Sequence, residues 1–395
     1  MDVYHQAGHN SVWNLGSLIE DGAGSGIIFS PVNDRADKIL GISDEIKKVS
    51  FFDPQLYLPK SIKGKLSSFE YFPSNFSKSF TTGDFDKEKR EIAKRCLDFQ
   101  LKNQFKYLVI PSRYYEVLPS NFYEQCEDHL IEPFLGYYQD TKAQNEILLT
   151  FIVKQELLMN DERRNELLNW LTGIHDIDGV YLIFENNFLS KQIKDSAYLY
   201  NALILIHSLK INELKVHVGY TNIEGLLYSI ADPNSVAMGS YENLRQFDIK
   251  RFEDKEKGQV RPPNPRLYSR PLFQLMDYGY KDGITKLYSD WNRVFEDSRY
   301  KPLMFKPEYN WHFTKPEPYK HYFLLFSSQV RSLPSNIVDR IILLKGSFQK
   351  AVQVFKEIES AGVYLDDDSN GSHLPFWLTT ISMFEKYLKD NAYAV

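Results

Sequence analysis

Cysteine is scarce in this sequence. Two occur in 395 residues, Cys96 and Cys126, and no Cys-x-x-Cys pair is present. Structural zinc sites usually combine several cysteines or histidines at such spacings, so we expect no metal site and no cofactor. A thiol-poor chain without a disulfide framework is typical of the cytoplasm.

Long hydrophobic runs are also missing. No apolar stretch reaches the ~18 residues needed to span a bilayer. Residues 1–10 lack the basic segment and apolar core of a signal peptide. We therefore expect a cytoplasmic protein that does not enter a membrane.

An excess of positive charge is absent, because the net charge is −5. This excludes a protein coated in basic side chains but leaves a local basic groove open. What is present is an ordinary globular composition, 43% hydrophobic and 25% charged, which is enough for a large core. The 26 tyrosines and 27 phenylalanines fill that core or form a stacking surface.

Short apolar runs alternate with helical segments through most of the chain. The runs predict strands at 25–31, from 49, and at 106–111, 147–153, 179–184, 214–218 and 235–239, with an eighth at 268–275. Helical spacing predicts helices at 35–48, 86–105, 121–140, 161–171, 191–209, 224–230, 337–361 and 375–391.

Strands joined through helices pair in parallel, and near-continuous apolar strands are buried on both faces. Seven or eight such units favour a closed (β/α)₈ barrel over an open doubly wound sheet, because no glycine-rich phosphate turn follows the first predicted strand. We predict a barrel over residues 1–275 and a mostly helical C-terminal extension over 276–395.

In a (β/α)₈ barrel the reactive groups lie on the loops after the strands. Asp53 and Glu185 follow two predicted strands and are candidates for a catalytic carboxylate pair, as in a glycoside hydrolase. Asp53 precedes Pro54 and could instead cap a turn. His217 lies inside a predicted strand and is interpreted as a core residue rather than a base.

The segment from Arg245 to Arg270 is locally basic, with eight cationic and four anionic side chains and a net charge of +4. A basic, proline-rich loop at the catalytic end of a barrel could follow a phosphate backbone. It could equally be a solvated connection between two strands.

Five segments follow one another along the chain: IIFSPV (27–32), FFDPQ (51–55), FIVKQELLMNDERRNELL (151–168), GVYLIFEN (179–186) and VHVGYTNIEGLLYSIADPNSVAMGSYENLRQF (216–247). The order of these motifs resembles the tRNA-guanine transglycosylase superfamily, barrels that exchange a nucleobase in RNA or DNA for a 7-deazaguanine. The resemblance covers roughly residues 25–250 and rests on order and spacing.

This resemblance implies a glycosyltransferase that binds tRNA or DNA. Asp53 would be the carboxylate beside the base, Gln155 (or Lys154) would read the base, and Gly219 would allow close packing. Tyr220 and Tyr241 would also contact the base, and Glu185 or Glu242 would act on the sugar. The phosphate backbone would be held by Arg113, Arg245, Lys250, Arg251, Arg261, Arg266 and Arg270.

Two departures from the family leave other functions open. The family's nucleophilic Asp should end the seventh predicted strand, where this chain reads Val236 to Gly239, and the family's zinc cysteines are missing downstream. The chain could therefore be a catalytically inactive subunit that binds other proteins of a prokaryotic anti-phage defence operon, a setting in which divergent members occur. A glycoside hydrolase using Asp53 and Glu185 is the third possibility.

Overall fold

The fold is known from a computed structural model, which describes residues 1–77, 81–188, 190–254, 266–391 and 393, apart from the side chain of Thr82. Eight parallel strands close into a ring in chain order, confirming the predicted (β/α)₈ barrel. They are β1 (Asp2–Gln6), β2 (Gly26–Phe29), β3 (Phe51–Phe52), β4 (Tyr107–Ile110), β5 (Glu146–Val153), β6 (Gly179–Phe184), β7 (Lys215–Gly219) and β8 (Ser235–Gly239).

The ring is closed by a strand that the sequence patterns did not predict. β1 pairs with β2 on one side and with β8 on the other, so that Tyr4 lies opposite both Gly26 and Ala237. The predicted eighth strand at 268–275 is wrong. β9 (Arg266–Ser269) and β10 (Gln274–Asp277) form an antiparallel hairpin outside the ring, because so short a connection cannot make the crossover that parallel strands need.

Helices surround the ring and continue after it. They are α1 (Ser11–Asp21), α2 (Ala36–Leu40), α3 (Asp44–Lys47), α4 (Thr82–Lys102), α5 (Phe122–Cys126), α6 (Glu132–Thr141), α7 (Gln155–Met159), α8 (Asp161–Gly173), α9 (Ser196–Ile211), α10 (Gly225–Tyr228), α11 (Tyr280–Leu287), α12 (Lys301–Met304), α13 (Glu317–Arg331), α14 (Ile337–Ser360) and α15 (Leu374–Asp390). The predicted helix at 35–48 is divided into two, and the one at 121–140 contains a π-helical turn over Glu127–Ile131.

Aromatic and histidine side chains pack inside the barrel, where this fold usually has branched aliphatic side chains. Phe51 packs edge-on against Tyr4 at 5.1 Å and Tyr181 at 5.4 Å between ring centroids. His217 lies 4.7 Å from the ring of Tyr107 and meets the hydroxyl of Ser235 at 2.7 Å. His217 is therefore a core residue, as predicted, and burial lowers its pKa to about 3.

The C-terminal helices pack directly on the barrel. α9 is apolar around most of its circumference because α15 covers the side that faces away from the strands. Trp377 of α15 donates its indole N–H to the carbonyl of Ile193 at 3.0 Å. Arg340 of α14 pairs with Asp232 at 2.7 Å. Because these contacts join residues before and after 275, the division into a barrel (1–275) and a C-terminal extension (276–395) stays a prediction.

Across the described residues, every helix is too short or too polar to cross a membrane.

Candidate functional site

A pocket of about 1160 Å³ lies on the loops that follow β5, β6, β7 and β8. This is the carboxyl end of the barrel strands, where the chemistry of this fold is located. Of the predicted site residues, the pocket is lined by Gln155, Glu185, Glu242, Arg245, Lys250 and Arg266. The structure thus brings together six side chains that are spread over positions 155 to 266 of the chain.

Glu185 is the buried carboxylate of this pocket, with 6% of its surface exposed. It directly follows β6, and its backbone N–H donates to the carbonyl of Val153 at 2.9 Å. The hydroxyl of Tyr114 donates to Oε1 at 2.6 Å, and Nζ of Lys154 lies 4.0 Å from Oε2. The hydrogen bond from Tyr114 therefore fixes Oε1 at the strand end, and Oε2 lies within ion-pair distance of Lys154.

Lys154 is held in turn by backbone carbonyls. Its ammonium donates to the carbonyls of Tyr115 at 2.7 Å and Glu116 at 2.6 Å, and lies 4.8 Å from the ring centroid of Tyr114. Gln155 follows it as the first residue of α7 and lines the pocket with its side chain partly buried. The helix that begins here leaves both side chains beside Glu185.

Glu242 lies on a different wall, after β8. It accepts a hydrogen bond from Lys191 at 2.8 Å, and Nε of Arg266 lies 3.7 Å away. Burial alone would raise the pKa of Glu242, but the hydrogen bond from Lys191 and the charges of Lys191, Arg245 and Arg266 hold that pKa below its usual value. Glu242 is therefore ionised at neutral pH and is a poor proton donor.

The pocket has a mixed charge rather than a basic one. Five cations, Lys154, Lys191, Arg245, Lys250 and Arg266, and six carboxylates, Glu116, Glu156, Glu185, Glu242, Asp248 and Glu253, line it. A surface that follows a phosphate backbone presents an excess of cations. Any anion that binds here must therefore use a local group of cations, not the pocket as a whole.

Asp53 lies outside this pocket, in a polar cluster beneath it. It is fully buried, and its Oδ2 accepts from the hydroxyl of Tyr57 at 2.8 Å. The backbone N–H of Gln55 donates to Oδ1 at 3.1 Å. The rings of Phe247 and Phe252 cover the cluster, 5.4 and 4.9 Å from that of Tyr57. Asp53 and Glu185 therefore do not face one cavity.

Gln55 and Tyr220 join this cluster to β7, and both adopt the left-handed backbone conformation with φ of 51°. The amide of Gln55 donates to the hydroxyl of Tyr220 at 3.1 Å. Gly219 is closely packed, as predicted, but against the protein itself, because a Cβ there would lie 2.3 Å from the hydroxyl of Tyr181. The left-handed backbone of Gln55 and Tyr220 is strained, and such strain is maintained only where the surrounding structure fixes the geometry.

Burial raises the pKa of Asp53 to about 6, although the hydrogen bonds from Tyr57 and Gln55 act in the opposite direction. The nearby amide nitrogen of Gln6 is buried without a partner. This buried polar cluster is therefore costly to maintain, and the ring of Phe247 lies between the rings of the cluster and the pocket that it lines.

The other predicted site residues face elsewhere. Tyr241 accepts from Asn10 at 3.0 Å and packs against Tyr319 of α13. Arg113 contacts His129 at 3.2 Å. The remaining basic side chains, Arg251 beside Tyr220 and Arg270 paired with Glu296, lie off the pocket, and Arg261 is outside the described residues.

Sequence reasoning missed Glu224, a fully enclosed carboxyl next to the pocket. The backbone N–H of Asn222 donates to its Oε1 at 2.8 Å, and Oε2 has no partner. Burial raises the pKa of Glu224 to about 7. A lone acid inside the apolar stretch 223–231 was the available signal, since such a residue is rarely buried without a reason.

We expect Glu224→Gln to change how stability depends on pH. A carboxyl whose pKa is raised in the folded state stabilises the fold below its unfolded pKa of 4.5, and this stabilisation is lost as the pH rises through about 7. The loss is on the order of 3 kcal/mol, at roughly 1.4 kcal/mol per unit of pKa shift. Urea unfolding at pH 5 and pH 8 measures it.

The glutamine variant should lack this loss, whereas Glu156→Gln, at an exposed pocket residue, should keep it. If the free energy of unfolding changes with pH by the same amount in the wild type and in Glu224→Gln, the pKa of Glu224 is not raised in the folded protein.

No protein-family model matches the chain, and comparisons with curated proteins and with solved structures find no match either.

Proposed function

We propose that this barrel breaks and re-forms the glycosidic bond of a purine or 7-deazaguanine base in a nucleic acid, as the transglycosylases that its motifs resemble do. The observation that carries the proposal is the setting of Glu185. It is a buried carboxylate at a strand end, it lines the pocket, Tyr114 fixes one oxygen by a hydrogen bond, and Lys154 lies 4.0 Å from the other. A nucleophile toward a sugar carbon needs this fixed direction.

In the proposed reaction, a carboxylate oxygen of Glu185 bonds to the anomeric carbon as the bond from that carbon to the base breaks. The electron pair goes to the base nitrogen, which takes up a proton. An incoming base then loses a proton and displaces the carboxylate from the same carbon, so that the exchange is balanced in atoms and charge. This is the retaining, two-step route of carboxylate-based glycosyl transfer.

The rest of the pocket supports recognition of a flat, polar base. Gln155 and Asn187 present amide groups that can donate to and accept from a heterocycle edge. Phe188 and Tyr114 provide rings for stacking. In this proposal Asp53 supports the barrel mouth from beneath Phe247 and does not itself read the base.

One observation favours a second candidate, an inactive binding subunit in a defence complex. β8 ends at Gly239 and is followed by Ser240, so no carboxylate occupies the position of the family's nucleophile. In that case Glu185 would bind a ligand without reacting.

Transfer of radiolabelled guanine into tRNA or duplex DNA tests the proposal. We expect acid-precipitable label to increase with time and with protein concentration, and unlabelled 7-deazaguanine to compete. Calorimetry with 7-deazaguanine provides the control for binding. Binding without transfer would favour the inactive subunit, and the absence of both binding and transfer would overturn both candidates.

A further inference from the structure

The guanidinium of Arg245 is buried in the pocket without an ion pair, although its charge acts on the carboxyls of Glu224 and Glu242. Only 7% of this residue is exposed, yet it makes no ion pair or side-chain hydrogen bond with any residue that the structure describes, and its Nε is unpartnered. Its nearest aromatic neighbour is Tyr322, 5.6 Å from the ring centroid. A buried cation without a partner is costly, so a free guanidinium lining a cavity points to an anionic ligand.

Two more cations lie at the same end and share their carboxylates. Lys191 and Arg266 both lie near Glu242, and Arg266 also lies 3.6 Å from Asp368. Lys191, Arg245 and Arg266 therefore form a group of three cations around Glu242 and Asp368, with Glu224 close enough for Arg245 to lower its pKa. Guanidinium groups recognise phosphate oxygens through paired hydrogen bonds.

The same end also contains unpartnered acceptors. Oε1 of Gln192 and Oδ1 of Asn222 are buried without a hydrogen bond, and both residues line the pocket. Such acceptors are satisfied by donors on a ligand. Sugar hydroxyls next to a phosphate provide donors of this kind.

Most of this end of the pocket is closed. Gln192, Asn222 and Arg245 are buried, and the side chain of Arg266 is 8% exposed, whereas that of Lys191 is 40% exposed. Elsewhere the pocket is lined by exposed residues such as Glu116 and Lys250. A phosphate within a nucleic-acid strand needs space for nucleotides on both sides, whereas a terminal phosphate needs space for a nucleotide on one side only.

We propose that Arg245, with Arg266 and Lys191, binds the terminal phosphate of a nucleotide, while Gln192 and Asn222 accept from its sugar. This inference rests on the proposed function and narrows its substrate to a unit with a terminal phosphate. Two sources share that chemistry, a free nucleoside monophosphate and a phosphorylated strand end.

Calorimetry with guanosine, guanosine monophosphate and inorganic phosphate tests this site. We expect the monophosphate to bind at least about tenfold more tightly than guanosine, the change that one charge-assisted hydrogen bond produces. Arg245→Met should remove that difference and the binding of inorganic phosphate. Lys286→Met, at an exposed residue outside the pocket, should keep both. Circular dichroism of each variant shows whether the fold is intact.

Further ligands separate the two sources. A short oligonucleotide with a terminal phosphate that binds as tightly as the monophosphate, and more tightly than the same oligonucleotide with a terminal hydroxyl, would assign the site to strand ends. Preference for the monophosphate alone would assign it to free nucleotides.

Equal affinity for guanosine and its monophosphate, or phosphate binding that survives Arg245→Met, would overturn the inference. Equal competition by succinate would also overturn it, in favour of a carboxylate. If phosphate binding depends on Arg245 but guanine is never transferred, the proposed function fails and the phosphate site stands. If guanine is transferred but the phosphate group does not change the affinity, the proposed function stands and the phosphate site fails.

Discussion

Replacing Glu185 with glutamine is expected to lower the rate of guanine transfer by a factor on the order of 10⁴. Loss of a nucleophile that acts together with its neighbours has effects of this size. The glutamine keeps the shape of the side chain, and its carbonyl oxygen can still accept from Tyr114, which donates to Oε1 at 2.6 Å. The amide cannot form the glycosyl ester, so transfer should fail while binding of 7-deazaguanine remains.

The measurement is the initial rate of label transfer, together with calorimetry on the same preparation. Glu156→Gln is the matched control, because Glu156 also lines the pocket but is exposed. Its rate should stay within about threefold of the wild type, as expected for a change outside the chemistry. If Glu185→Gln transfers guanine at the wild-type rate, Glu185 is not the nucleophile, and Glu242 becomes the carboxylate to test.

Replacing Phe247 with alanine is expected to lower the free energy of unfolding by about 3–5 kcal/mol. Phe247 is 1% exposed, and its ring lies 5.5 Å from that of Tyr220 and 5.8 Å from that of Phe252. Removing it leaves a cavity above Asp53 and admits water to a carboxyl that is now fully buried. The pKa of Asp53 should then fall toward its usual value of 3.8.

Urea unfolding at neutral pH measures the loss. Phe188→Ala serves as the comparison, because Phe188 lines the same pocket but is only partly buried and packs mainly on Tyr198. Phe188→Ala should lower the free energy of unfolding clearly less than Phe247→Ala does. A loss below about 1 kcal/mol for Phe247→Ala, within the range of a surface change, would mean that the ring does not cover the cluster.

Much of the barrel could be predicted because its strands are apolar on both faces. ILLTFIV and GVYLIF lie in β5 and β6, where the structure places strands. The N-terminal strand could not be found this way, because DVYHQ contains Asp2, His5 and Gln6. His5 and the amide oxygen of Gln6 are buried with hydrogen-bond partners that lie farther along the chain. His5 meets the carbonyl of Ala23 at 2.7 Å, and Gln6 accepts from Tyr181 at 3.2 Å.

The candidate site was predictable in position but not in detail. The loops after the strands do converge, which brings Gln155, Glu185 and Glu242 into one pocket. The sequence does not show how deeply each side chain is buried, however. Nothing in FFDPQ indicates that Asp53 lies beneath Phe247 and outside that pocket. Neither does a count of charges reveal that Arg245 is unpaired while Arg270 has a carboxylate partner. Burial and pairing depend on contacts between distant segments.

The closure of the ring between β1 and β8 affects how the protein is made. When β1 leaves the ribosome, one of its edges stays without its partner until residue 239 has been synthesised. At ~10 residues per second, more than about 20 seconds pass before that edge can pair. An unpaired strand edge is a template for other chains. The nascent chain therefore has a period, set by its topology, during which the free edge of Asp2–Gln6 is open to misassembly.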